Sequence, residues 1–139
     1  GVATRTAEYE IQTETYTDIP MTMATNSSFM SVSSNAITLT AGSYLVWYSL
    51  DFKSQYSGSH YWEHRIYTNS GTFPHNVPDT IQQPASPSYQ LYSPINARLI
   101  TIATGGTTFR FQFRDASHSN TYKQYVRNVT FLAQKLSLI

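Results

Sequence analysis

The stretch "AGSYLVWYSLDFKS", residues 41–54, decides the fold. In an extended chain, successive side chains point to opposite faces. Tyr44, Val46, Tyr48, Leu50 and Phe52 therefore share one side. Leu45 and Trp47 share the other, before Ser49, Asp51 and Lys53 turn that side polar. A strand of an antiparallel sheet commonly needs only one apolar face, because water covers the other. A second apolar face predicts a second thing to pack against. The segment "YVRNVTFLAQKL" (125–136) repeats the pattern, with Val129, Phe131 and Ala133 on one side and Val126, Leu132 and Leu136 on the other. In "FRFQFR" (109–114), by contrast, Phe109, Phe111 and Phe113 share a face, and Arg110, Gln112 and Arg114 share the solvated one.

Two strands buried twice and one buried once, among many short antiparallel strands, predict an all-β, two-sheet sandwich or jelly roll. One of its sheets is then covered from outside, most simply by copies of itself around a symmetry axis. The bulk numbers agree. The 139 residues fit a single domain, and 11 Tyr among only 12% charged residues is the composition of a β-protein. There is no cysteine, which excludes a disulfide framework and a thiolate metal site. A net charge of +1 argues against nucleic acid as a partner. No apolar run reaches the roughly 18 residues of a membrane span, so no membrane insertion is expected.

Turn punctuation divides the rest. "AEYEIQTETYT" (7–17), "PMTMAT" (20–25), "FMSVS" (29–33), "AITLT" (36–40) and "YWEHRIYTN" (61–69) read as extended pieces, and no segment has a helical period. "SYQLY" (88–92) reads as a short strand, followed by a loop near "YSP" (92–94). "INARLITIAT" (95–104) stops at Gly105-Gly106 and "TTFRFQFRD" (107–115) follows at once, the pattern of a β-hairpin.

The order "ETYTDIPMTM", "LTAGSYLVWYSLDF", "RIYTNSG", "RLITIATGGTTFRFQF" and "VRNVTFLAQKL" resembles the tumour-necrosis-factor/C1q-like jelly roll. More narrowly, it resembles the versions that cap trimeric fibres and tail needles of viruses and bacteriophages. It is also similar to a tumour-necrosis-factor-like bacterial lectin domain in its "ETYxDIP" opening and "TNxG" turn. The resemblance implies a homotrimer in which Leu45, Trp47, Val126, Leu132 and Leu136 meet neighbouring chains. It implies that residues 1–139 are the C-terminal knob of a longer protein, placed on the virion surface or outside the cell. The lectin's sugar-binding tyrosine falls at Glu63 and its arginine near His118, so no sugar contact is carried over.

Neither catalytic nor cofactor motifs stand out. There is no G-x-S-x-G, no H-E-x-x-H and no Gly-rich phosphate loop. His60 and His64, four apart in a strand, lie about 13 Å from each other, too far to share an ion. Glu8, Glu10 and Glu14 read as a solvated strand face. Strand direction is more informative. If the late strands run antiparallel, "SQYSGSH" (54–60), the loop near "YSP" and "DASHSNTYKQ" (115–124) emerge at one end, opposite the termini and Gly105-Gly106. The candidate ligand contacts at that apex are Tyr56, Ser59, His60, Tyr61, His118, Asn120, Tyr122 and Lys123. Their mixture of Tyr with Ser and Asn suits adaptable recognition by stacking and hydrogen bonds. The expectation is a trimeric knob, without enzymatic activity or cofactor, that binds a cell-surface receptor or glycan. The alternatives are a trimerisation cap with no ligand of its own and a soluble bacterial lectin.

Overall fold

The computed structural model describes residues 1–11, 15–54, 61–68, 80–84, 88–115 and 123–137, with the backbone alone at Tyr61, residues 80–84 and Asp115. The described residues form twelve strands and no helix, arranged as two antiparallel sheets packed face to face in a sandwich of the jelly-roll type. The first sheet runs β10 (Gln90–Ile102), β7 (Gly42–Ser54), β12 (Gln124–Lys135), β1 (Val2–Arg5), β4 (Thr22–Thr25). Beyond β1, β2 (Tyr9–Ile11) continues along the same edge of β12. The second sheet runs β5 (Met30–Ser33), β6 (Ala36–Leu39), β11 (Thr107–Asp115), β8 (Tyr61–Thr68), β9 (Thr80–Pro84), and β3 (Thr17–Asp18) also pairs with β11.

Alternation places the core. Tyr44, Val46, Tyr48, Leu50 and Phe52 on β7 face Phe109, Phe111 and Phe113 on β11, all buried. The rings carry much of the contact, with Tyr48 stacked on Phe111 at 3.7 Å and Phe52 on Trp62 at 4.1 Å. Each such side chain removed from water contributes on the order of 2–3 kcal/mol. One polar group sits among them. His64 of β8 is fully buried, its Nε2 3.1 Å from the Tyr48 hydroxyl. Burial holds its pKa down at about 3, so the ring is neutral. Its Nδ1 and the hydroxyl of nearby Tyr92 have no hydrogen-bond partner among the described residues.

Local backbone chemistry explains two departures from plain alternation. Ser34 and Asn35, at φ 49° and 63°, connect the Ser33–Ala36 pair, the two-residue primed turn that matches strand twist. Asn128, at φ 50°, makes a bulge at which the β12–β7 register shifts, and its side-chain amide donates to Asp51 at 3.0 Å. The bulge reverses the parity of β12, so Val126 faces the core together with Val129, Phe131 and Ala133. The expected outer-face position of Val126 is thereby corrected.

Two further expectations change. "SYQLY" and "INARLITIAT" belong mostly to one strand, β10, so the loop expected near Tyr92–Pro94 is absent. Register shifts on both sides of Ile95, and the edge position of the strand, accommodate a proline that has no N–H to donate. Gly105-Gly106 is no hairpin turn, because β10 lies in the first sheet and β11 in the second. The turn carries the chain across the sandwich. Gly106 stands at φ 77°, its N–H donates to Ala103 at 3.0 Å, and a Cβ there would lie 2.7 Å from the Leu39 carbonyl oxygen.

Candidate functional site: two unlike sheet faces

The pairing puts Ser54, Gln90 and Gln124 at one end of the first sheet, and Gly42, Ile102 and Lys135 at the other. Gly1 joins the second group, since its ammonium donates to the Ala133 carbonyl at 2.7 Å. Of the apical residues singled out in the sequence, Tyr56, Ser59, His60, His118, Asn120 and Tyr122 lie outside the described residues. Tyr61 is the first residue of β8. Lys123 is partly exposed just before β12, its Nζ 3.6 Å from Glu10 Oε1. Glu8 likewise pairs with Lys53 at 3.9 Å, while Glu14 lies outside the described residues.

The outer face of the first sheet divides in two. Toward the Gly1 end it is apolar: Leu45 stands opposite Leu99 on β10, and Trp47 opposite Leu132, which in turn stands opposite Val2. Leu99 is 56% exposed, and Leu91, nearer the apex on the same edge strand, is 74% exposed. Leu45, Trp47 and Leu132 are half-buried by their neighbours alone. Leu136, also half-buried, follows β12, and its N–H donates to Ser43 at 2.9 Å. An open groove of about 420 Å³ lies beside this patch, walled by Val2, Phe29, Leu132 and Lys135.

Toward the apex the same face is charged and aromatic. Arg127 lies 3.7 Å over the Tyr89 ring and 3.6 Å from Asp51, and Lys53 reaches the rings of Tyr89 and Tyr125. The Tyr89 hydroxyl donates to Glu8. Burial, and then that bond to a carboxylate, pushes the hydroxyl pKa up to about 12. Each partly exposed ion pair contributes well under about 1 kcal/mol, so this half sets orientation more than strength.

The outer face of the second sheet has a different character. Arg110, Gln112 and Arg114 of β11 stand beside Glu63, Arg65 and Tyr67 of β8, with Tyr16 and Asp18 alongside. Arg114 Nη2 is 3.2 Å from both carboxylate oxygens of Glu63, and the Tyr16 hydroxyl donates to Glu63 at 2.5 Å. Burial pushes the Glu63 carboxyl upward, but these bonds and the charges of Arg114 and Arg65 outweigh it and hold the pKa below its ordinary value. Burial, and then the bond to Glu63, raises the Tyr16 hydroxyl to about 12. Arg110 pairs with Asp18 at 3.2 Å. Arg65 bonds a neutral group, donating from Nε to Gln112 Oε1 at 2.7 Å, and its guanidinium lies 3.8 Å from the centre of the Tyr16 ring and 4.8 Å from that of Tyr67.

The sequence reading placed Arg110, Gln112 and Arg114 together on the solvated side of β11; they do share that outer face, but their neighbours bury Gln112 and half-bury the two arginines. The signal available was the alternation of polar residues in "YWEHRIYT"; what makes a cluster of it is the β8–β11 register. Among the described residues, no three His, Asp or Glu gather as metal ligands would. No protein-family model matches the chain, and no curated protein shows significant similarity to it.

Proposed function

We propose that this protein is a non-enzymatic trimeric knob. Three copies pack the outer faces of their first sheets around a threefold axis and present the apical end to a cell-surface receptor or glycan, on a virion or phage appendage. One observation carries the reading: the apolar half of the first sheet, where Leu45, Trp47, Leu132 and Val2 adjoin a leucine that is 56% exposed. Apolar area of this kind, continuous and rimmed by charge, is the mark of an association surface. β7 and β12 are neighbours in that sheet, so their apolar outer side chains, Leu45 and Trp47 on β7 and Leu132 on β12, form one patch. The viral or phage setting rests on the resemblance of the strand-and-turn motifs. A trimer would carry three copies of any apical site, and even weak sites then add avidity against a surface with many targets.

Light scattering at micromolar protein tests the assembly. The expected mass is three times the 15.7 kDa of the chain, and a monomer refutes the trimer. A glycan array tests recognition, with dose-dependent, competable binding expected. A trimer that binds nothing there or on cells is a structural cap, the runner-up reading.

A further inference from the structure

We propose that Arg65, within cation–π reach of the rings of both Tyr16 and Tyr67 on the outer face of the second sheet, anchors a binding site for a carboxylate-bearing sugar. Charge accounting leads there. Of the three arginines in the cluster, Arg110 faces Asp18 and Arg114 faces Glu63, whereas Arg65, whose charge acts on Glu63 from a distance, forms no ion pair among the described residues and bonds the neutral oxygen of Gln112. Its two terminal nitrogens have no acceptor among the described residues. Cation–π contact with two rings stabilises the charge without using those donors. A guanidinium presents its terminal nitrogens as a fork that matches a carboxylate, and the ordering cost of this one is largely met by its two rings and its Nε bond.

The surroundings select a sugar. Tyr67 is 40% exposed on a rigid strand and offers a flat ring for the C–H face of a pyranose. Asp18, joined to Arg65 through Gln112 by two bonds of 2.7 Å, and Glu63 supply carboxylate acceptors for hydroxyl groups. Their repulsion of an anion is offset, since each already faces an arginine. The proposed trimer covers the first sheet and leaves the second outward. The site therefore stands or falls independently of assembly.

Titration of isotope-labelled protein with methyl β-glucuronide tests this, with methyl β-glucoside and acetate as comparison arms. Glucuronide is expected to shift the amide signals of β8 and β11 around Arg65 and Tyr67 in a saturable way. Arg65→Gln should weaken binding about tenfold or more, because one charge-assisted bidentate contact is lost. Tyr67→Ala, which keeps the Arg65–Gln112 bond and the Tyr16 stack, should also weaken it, and decides the matter if Arg65→Gln fails to fold. Equal binding of glucoside, or competition by acetate as strong as by glucuronide, overturns a sugar-acid site. So does unchanged glucuronide binding in either folded variant.

Discussion

Acid should loosen this sandwich through a single buried ring. His64 lies in the core against Tyr48, Tyr92, Phe111 and Phe113, and none of these supplies a carboxylate to balance an imidazolium. Its pKa is about 3 in the fold, against 6.5 for an exposed histidine. The unfolded chain therefore takes up the proton first. The stability His64 contributes is complete above about pH 6.5 and is lost as the pH falls from there toward 3. At pH 5 the unfolded histidine is almost fully protonated and the folded one is not, which costs about 2 kcal/mol relative to pH 7.5. That figure depends on the unfolded pKa and hardly at all on how far the folded value lies below 4. The assay is denaturant unfolding at fixed protein concentration across pH 5–7.5, for the wild type and for His64→Gln. Glutamine can still bond the Tyr48 hydroxyl but does not titrate. The variant should be less stable at pH 7.5 through poorer packing, yet lose about 2 kcal/mol less than the wild type on going to pH 5. Parallel curves for the two proteins would refute the reasoning, because the other histidines are common to both.

The other expectations are local. Trp47→Ala should weaken assembly more than folding, by about 2 kcal/mol or more per contact if the ring is a central anchor; an unchanged oligomer over a dilution series removes it from the interface. Gly106→Ala combines a left-handed backbone at φ 77° with a Cβ 2.7 Å from the Leu39 oxygen, so it should lower thermal stability clearly. Asn128→Val puts a β-branched side chain at φ 50° and removes the bond to Asp51, and a loss of about 2 kcal/mol in chemical denaturation is expected. Asn128→Gly should recover most of it, since glycine accepts that conformation.

Much of the architecture is legible in single segments, because alternation is a local property with period two. The all-β class, the inward set Tyr44 to Phe52 and the phenylalanine face of β11 follow from it. So does the outward placement of the half-buried Leu45 and Trp47 on the opposite side of β7, which prompted the assembly reading. Other features depend on which strand lies beside which, and a segment carries no record of its partner. Gly105-Gly106 looks the same whether it closes a hairpin or crosses between sheets; the sandwich crosses there because β7 takes β10 as its neighbour and β11 pairs with β6 and β8. Val126 was misplaced because one asparagine in a left-handed conformation inverts the parity of everything beyond it. The Arg65 cluster exists only through the register that sets Arg65 opposite Gln112 and Glu63 opposite Arg114. The burial of His64 likewise required two sheets to close over it. Local sterics determined which residues could share a face, whereas the free energy of burying both inner faces together decided which faces met.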